Sequence, residues 1–306
     1  MNSSDGIAAL IYLKNKVHKW KNIALLLAVV SVILLAKIFS GDSLSGGFSE
    51  GDSIAEIKID GIIFEDDYRS KILKKIAEEK SIKAVIVNID SQGGGIVGSE
   101  ILFHDLREIA KNKPIVVVMG SVAASGGYMA AIASDYIIAY NGTLTGSIGV
   151  LMESPEVTDL ASKIGVKFNT YKSSPLKGSP SPFEKSNALV DKVIKDSIAD
   201  SYEFFADLVK ERRGKKLGKN IDSILDGRIF TGRQALKAGL IDKIGGKEDA
   251  LAYLSDNKID TKALPIKEVS ITEEREKFFD KFFGIFSFLD GAKSSIYGHK
   301  IMAVLN

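Results

Sequence analysis

Residues 115–128 read Ile115-Val116-Val117-Val118-Met119-Gly120-Ser121-Val122-Ala123-Ala124-Ser125-Gly126-Gly127-Tyr128, an apolar run that leads into a turn of small residues. The run predicts a buried strand, and the small residues through Ala133 predict a helix directly after the turn. Several hydrolase folds expose a serine nucleophile at such a turn, because the backbone N–H groups that follow can face a developing oxyanion. On this stretch alone a glycine-rich turn with an incidental serine is the favoured interpretation, since short motifs match by chance.

Strand and helix patterns alternate on both sides of this stretch, which predicts an α/β fold. The strand patterns lie at 53–64, 84–89, 115–119 and 136–139, and the helical patterns lie at 68–80, 98–112 and 186–213. Such alternation implies crossover connections and a mainly parallel sheet. Ligands bind at the carboxyl ends of the strands in sheets of this kind, where the glycine-rich loops after Ile89 and Met119 both fall.

An apolar segment near the N-terminus predicts a single transmembrane anchor over residues 23–39. Lysines precede it with only Asp5 opposing them, which by the positive-inside rule assigns residues 1–22 to the cytoplasm. Residues 40–52 are rich in glycine and serine and predict a flexible linker. We therefore expect a single-pass protein of the inner (cytoplasmic) membrane with its main domain on the periplasmic or extracytoplasmic side. A cleaved signal peptide is the competing interpretation.

The composition of the 306 residues excludes several classes of function. A net charge of +2 provides no bulk basic character, so we expect no nucleic-acid partner. The chain has no cysteine, which excludes disulfides, thiol catalysis and cysteine-based metal sites.

A serine nucleophile needs a general base, and the histidines are poorly suited to that role. His18 precedes the predicted anchor, His299 lies in the C-terminal tail, and His104 belongs to a helical pattern that favours a surface or packing position. A neutral lysine is the remaining option, as in Ser-Lys pairs. Lys177 stands out because it lies in a loop rich in serine, proline and glycine, although an exposed loop lysine is the alternative interpretation.

The sequence resembles the signal peptide peptidase SppA (protease IV) family, in its short single-copy form, from about residue 53 to about residue 254. The resemblance rests on residues 88–94, 120–133, 145–150, 172–180 and 228–242, in that order. The last segment contains Phe230-Thr231-Gly232, Gln234-Ala235 and Gly239-Leu240-Ile241-Asp242. The resemblance implies a ClpP/crotonase-like α/β fold with a mainly parallel sheet and flanking helices.

The resemblance also implies a membrane-anchored serine peptidase with a Ser-Lys dyad and no metal or cofactor. Ser125 matches the nucleophile, Lys177 the general base, and Ser147 the serine that orients that lysine; the amides of Gly126 and Gly94 match the oxyanion hole. The family further implies an octamer-like ring in which neighbouring subunits supply the serine and the lysine of each site. The implied substrates are apolar peptides such as signal peptides that remain in the membrane after preprotein processing.

One departure concerns the first glycine-rich loop, where Gln92 stands in place of the family's usual proline. Proline pre-sets the backbone φ, so glutamine is expected to loosen this loop.

Two competing functions remain open: a crotonase-type acyl-CoA enzyme, and a catalytically inactive, membrane-tethered assembly protein.

The predicted protease domain covers 53–258, and a C-terminal region follows at 259–306. The C-terminal pattern at 271–289 predicts an amphipathic helix that lies on the membrane or packs on protein.

Overall fold

A computed structural model describes residues 16–17, 19–23, 25–26, 51–219, 221–272 and 302–303, the last two through their backbone. The chain divides into two units, Met1–Phe48 and Ser49–Asn306, and the described residues of the first are helical. Within the ranges described, no helix combines the length and the apolar character that a membrane span requires. Most of the predicted anchor at 23–39 and of the predicted C-terminal helix at 271–289 lies outside the described residues.

The second unit alternates strands with helices along the chain. Its strands are β1 (Ser53–Ile63), β2 (Ile82–Gly95), β3 (Ile115–Ala124), β4 (Tyr136–Ala139), β5 (Leu144–Gly146), β6 (Ile229–Thr231), β7 (Lys243–Ile244), β8 (Ile266–Glu268) and β9 (Met302–Ala303). Its α-helices are α1 (Asp67–Glu78), α2 (Ile96–Asn112), α3 (Gly126–Ala131), α4 (Thr158–Lys163), α5 (Ala188–Arg213), α6 (Gly232–Ala238) and α7 (Lys247–Asp256).

The strands form one mixed, mostly parallel sheet in the order β6-β5-β3-β2-β1-β8. The pairs β1/β2, β2/β3, β1/β8, β3/β4, β3/β5 and β4/β7 are parallel, whereas β5/β6 and β2/β9 are antiparallel. The sheet divides along β3, whose first half pairs with β4 and whose last residues pair with β5. The predicted α/β fold with a mainly parallel sheet and flanking helices is therefore confirmed.

Both faces of the sheet are covered, which explains why its central strands are almost continuously apolar. On one face a core cluster joins the sheet to α7 and contains Ile54, Ala84, Ile86, Val116, Val118, Ile138, Ala250 and Leu254. The alternate positions Val85, Val87 and Val117 are equally buried. A rigid, dry core thus carries the carboxyl ends of β2 and β3.

Two strands are longer than their apolar patterns predict. The β2 pattern stops at Ile89 but the strand continues through the glycine-rich residues to Gly95, and β3 continues from Met119 to Ala124. The extensions pair with each other, Ser91 with Ala123, and with β1 and β5. Backbone pairing with neighbouring strands therefore holds segments that propensity alone favours as loops.

A buried ion pair ties α5 to the segment before β7. Arg213 donates to both oxygens of Asp242 at 3.0 and 2.9 Å and to Gly239 O, and Lys216 donates to the same carboxylate at 2.7 Å. Burial alone would raise the pKa of Asp242. The hydrogen bonds and the positive charge of Arg213, together with hydrogen bonds from Lys216 and the Ile137 amide, hold that pKa below its usual range. The segment 239–242, which carried part of the family resemblance, is therefore anchored to the core.

The Asp242→Asn variant is expected to lower the free energy of unfolding by about 3 kcal/mol, because it leaves Arg213 buried beside a neutral amide. The carboxylate titrates below its unfolded pKa, so its contribution is complete above that pKa and is lost as the pH falls through the folded pKa. Denaturant unfolding of parent and variant from pH 7 to pH 3 measures both effects. Asp226→Asn, which breaks the exposed pair with Arg228, is the matched control and should leave the midpoint nearly unchanged. Equal stability of parent and Asp242→Asn at pH 7 would contradict this assignment.

Candidate active site

Ser125 stands at the turn between β3 and α3 in a backbone conformation that few residues adopt. Its φ is 52° and its ψ is −120°, which lies outside the ordinary regions for a residue with a side chain. The Ser125 N–H donates to Gly146 O at 2.8 Å, and the Ser125 carbonyl accepts from Met129 N at 2.9 Å. The strained turn is therefore held from both sides by neighbouring backbone.

The Ser125 hydroxyl is buried and has no hydrogen-bond partner among the described residues. The residue is 1% exposed, and no described group forms a hydrogen bond with its Oγ. A buried hydroxyl without a partner costs free energy, so native structures rarely keep one without a reason. A strained backbone and an unpaired hydroxyl at one residue mark a candidate nucleophile.

The two predicted oxyanion donors lie beside this serine. A Cβ atom at Gly126 would lie 2.1 Å from Ser99 Oγ and 3.2 Å from the Gly94 nitrogen, so these backbones approach too closely for any side chain. A Cβ atom at Gly94 would lie 1.9 Å from Ile63 O. Glycine is therefore required at both positions by space alone, and the Gly94 amide comes next to the start of α3.

Ser147 belongs to the same end of the sheet. Gly146, which precedes it, pairs with Ala124 and accepts the hydrogen bond from the Ser125 N–H. Ser147 has a φ of 48°, and its N–H donates to Arg228 O at 2.9 Å. The structure therefore brings Ser125, Gly126, Gly94 and Ser147 together at the carboxyl ends of β2, β3 and β5.

The structure does not bring Lys177 to Ser125 within one chain. Lys177 is exposed, and its N–H donates to Ser174 O at 3.1 Å in a turn. Because the Ser125 Oγ has no partner among the described residues, no hydrogen bond joins the two side chains. The predicted dyad is thus not formed inside the described part of a single protomer.

The other lysine of this loop is already engaged. Lys172 Nζ pairs with the carboxylate of Glu184 and lies 3.3 Å from Ser179 Oγ. The hydrogen bond from Lys172 lowers the pKa of Glu184. A lysine whose Nζ already contacts a carboxylate and a hydroxyl is not free to contact the nucleophile. No such ion pair joins Lys177 to a carboxylate in the described ranges. This difference favours Lys177 over Lys172 as the general base.

The segment that carries Lys177 exposes an unusual amount of apolar surface. Between β5 and α5 it contains only the short helix α4. Its exposed large apolar side chains are Leu160, Ile164, Val166, Phe168, Tyr171, Leu176 and Phe183, with Tyr171 at 94% and Ile164 at 69%. A concentration of exposed apolar side chains in one segment is typical of a protein–protein interface.

Sequence reasoning missed two buried serines at this site, Ser91 and Ser99. Both lie within or next to the glycine-rich end of β2 and are fully buried. The signal was present as hydroxyl residues beside a predicted oxyanion loop, but a serine of that kind cannot be separated from a turn residue without coordinates.

Two further observations bear on the chemistry of the site. His104 lies on α2 with an exposed side chain, which confirms its predicted surface position. Among the described side chains, no group of three His, Asp or Glu is arranged to hold a metal ion.

Comparison with known proteins assigns the family. The model of Peptidase family S49 matches residues 107–259, half of the chain, and the matched span contains Ser125, Ser147 and Lys177. The chain is 36% identical over 215 residues to a putative protease, slr0021, of Synechocystis sp., covering 68% of this chain and 77% of that protein. The chain therefore belongs to peptidase family S49, and the predicted enzyme class, a serine peptidase, is confirmed.

A second relative bears the name that the sequence resemblance predicted. The chain is 39% identical over 197 residues to the putative signal peptide peptidase SppA of Enterococcus faecium, covering 64% of this chain but only 57% of that protein. Among solved structures, a ClpP1 variant from Listeria monocytogenes is 16% identical with a TM-score of 0.42, covering 63% of this chain and 92% of that chain.

Proposed function

We propose that this protein is a membrane-anchored serine endopeptidase that degrades signal peptides after their release from preproteins. The observation that carries the proposal is the Ser125 hydroxyl, buried and without a partner at a strained turn beside the Gly94 and Gly126 backbones. Membership of family S49 and the name of the E. faecium relative support the substrate class. The predicted anchor at 23–39 would hold the catalytic domain on the extracytoplasmic side of the inner membrane.

In this proposal Ser125 and Lys177 form the catalytic dyad. Neutral Lys177 accepts the Ser125 proton as Oγ attacks the scissile carbonyl, and Ser147 orients the lysine through a hydrogen bond. The protonated lysine then donates to the leaving amine, and an acyl-enzyme forms on Ser125. Water, deprotonated by the same lysine, attacks the ester and releases the acid product.

The Gly94 and Gly126 amides stabilise the tetrahedral oxyanion in both steps, a contribution of about 3–4 kcal/mol per donor. Such donors act most strongly where water is excluded, and both glycines are buried here. The amides are held by strands and a helix that are packed in the core, so they need no reorganisation during the reaction.

The dyad is completed between two copies of the chain. Ser125 is buried without a partner while Lys177 is exposed on a segment rich in exposed apolar side chains. When a neighbouring copy covers this apolar surface, its burial drives association and brings one protomer's Lys177 to the other's Ser125. A head-to-tail contact of this kind closes into a ring, for which the family resemblance suggests eight protomers.

The substrate binds as an extended strand along the end of β2. Gly94 and Gly95 already pair in antiparallel fashion with the backbone of Ala303 and Met302, so this edge accepts a strand. Ile62 lies on the neighbouring strand β1, opposite Gly93, and Val97 follows Gly95 by two positions in the sequence. Their side chains are 45% and 48% exposed. Exposed apolar side chains beside a backbone segment that pairs with a strand favour apolar peptides.

The test is hydrolysis of a fluorogenic peptide by the full chain in detergent. We expect a leucine-rich peptide that resembles the apolar core of a signal peptide to be cleaved with a kcat/KM about tenfold or more above that of a version with central lysines, because each buried charge must be desolvated. A folded protein of similar sequence content should resist cleavage. Absence of hydrolysis by an intact oligomer would favour the assembly protein, and hydrolysis of an acyl-CoA thioester instead would favour the crotonase-type enzyme.

A further inference from the structure

Two buried serine hydroxyls form hydrogen bonds on either side of Gly94, in the glycine-rich last residues of β2. Ser91 Oγ donates to Gly61 O at 2.5 Å and accepts from the Gly93 N–H at 3.1 Å. Ser99 Oγ donates to Gly95 O at 2.9 Å. Both serine side chains are fully buried, which limits the access of water to their hydroxyls. The atoms on either side of Gly94, the Gly93 nitrogen and the Gly95 oxygen, are therefore fixed.

Ser99 also contacts the turn that carries the nucleophile. A Cβ atom at Gly126 would lie 2.1 Å from Ser99 Oγ and 3.1 Å from Ser99 Cβ, so the serine packs directly against the first residue of α3. One side chain thus contacts Gly95, which follows one proposed oxyanion donor, and Gly126, which is the other. Because packed groups at such distances have little freedom, Ser99 sets the separation of Gly94 and Gly126.

Ser91 supports the turn on its other side. A Cβ atom at Gly127 would lie 2.6 Å from Ser91 O, so the Ser91 backbone abuts the second residue of α3 while its hydroxyl holds Gly93. Gly93 has a φ of 110°, a conformation that only glycine adopts readily. A hydroxyl that accepts its N–H stabilises this unusual geometry without any restraint from residue 92.

We propose that Ser91 and Ser99 are positioning residues, here termed the serine clamp, that aim the Gly94 amide at the oxyanion. The clamp rests on the proposed peptidase function and deepens it. It also accounts for Gln92, which stands where the family resemblance leads one to expect proline: the clamp holds the loop through hydrogen bonds, so a fixed φ at residue 92 is dispensable. Neither serine touches the substrate, and each acts through the Gly94 backbone.

The expected signature of the clamp is a loss confined to the transition state. A donor misplaced by about 1 Å costs on the order of 100-fold in rate, while the ground-state carbonyl scarcely depends on it. Ser91→Ala and Ser99→Ala should each lower kcat by about 10- to 100-fold and leave KM within about twofold. Affinity for a peptide aldehyde, whose adduct places its oxygen in the oxyanion hole, should fall in proportion to kcat/KM.

Ser134→Ala is the matched control. Ser134 is also buried, and its Oγ donates to the backbone carbonyl of Ala131 at 2.8 Å. It follows the C-terminal end of α3, whereas Ser125 precedes the N-terminal end. Its loss should lower stability as much as loss of a clamp hydroxyl while kcat stays within about twofold. Ser91→Cys and Ser99→Cys, which keep a weak donor, should retain intermediate kcat and cover the case in which an alanine variant fails to fold.

A rescue experiment separates positioning from general damage. Introducing Gln92→Pro into Ser91→Ala pre-sets the loop and should restore kcat by about fivefold or more, without change in KM. The measurement is made on the full chain in detergent, with labelling of Ser125 by a fluorophosphonate run in parallel. An unlabelled, inactive parent would overturn the peptidase proposal itself. A labelled, active parent whose clamp variants keep parental kcat and aldehyde affinity, or lose activity through KM alone, would overturn the clamp.

Discussion

The Ser125→Ala variant is expected to hydrolyse apolar peptides about 10⁴-fold more slowly than the parent, or slower still, because it removes the attacking oxygen. The same variant should unfold at the same temperature as the parent or a higher one. The Ser125 Oγ is buried without a partner in the described structure, so its removal relieves an unmet hydrogen-bonding requirement. Loss of activity without loss of stability is the combination that identifies a catalytic group.

The measurement pairs steady-state hydrolysis with thermal unfolding of the full chain in detergent. Ser121→Ala is the control, because Ser121 lies on the same strand, β3, but is exposed. It should keep parental activity and stability. Substantial hydrolysis by Ser125→Ala, or inactivity accompanied by a large fall in unfolding temperature, would count against the nucleophile assignment.

The Lys177→Ala variant is expected to lose activity to a similar extent, since no other group in the proposal accepts the serine proton. Lys177→Arg should be equally inactive, because a guanidinium does not deprotonate in proteins. Both variants should assemble normally if the apolar side chains around residue 177 drive association. The loss should therefore appear in kcat and in the rate of fluorophosphonate labelling, while the oligomer mass is unchanged.

Lys167→Ala provides the matched control for this loop. Lys167 is also exposed and lies in the same segment between β5 and α5. Its removal takes away the same charge from the same surface without removing the proposed base. If Lys167→Ala and Lys177→Ala had equal effects, the loss would reflect surface charge, and Lys177 would not be the base.

The sequence predicted the parts of the fold that depend on local pattern. Apolar runs at 84–89 and 115–119 became buried parallel strands because helices cover both faces of the sheet. The strand extensions to Gly95 and Ala124 could not be predicted, because they depend on pairing with β1 and β5 rather than on residue preference. The end of β2 that the residue pattern describes as a loop is, in the folded chain, a paired part of the sheet.

The candidate site shows a similar division. The residue pattern and the family resemblance pointed to Ser125, Gly126, Gly94 and Ser147, which the structure gathers at one end of the sheet. The supporting contacts of Ser91 and Ser99 were not predictable, since a short side chain reveals its partners only in three dimensions. In the proposed function the position of Lys177 relative to Ser125 depends on a second copy of the chain, and the residue pattern of one chain does not define that contact.

The central claim is that Ser125 of one protomer works with Lys177 of its neighbour, and subunit mixing tests it most directly. Ser125→Ala and Lys177→Ala chains, each inactive alone, would be co-expressed with different affinity tags and purified through both. In a head-to-tail ring assembled at random, about a quarter of adjacent pairs combine an intact serine with an intact lysine, so activity should recover to about a quarter of the parental value. Mixed oligomers as inactive as their components would contradict the shared site.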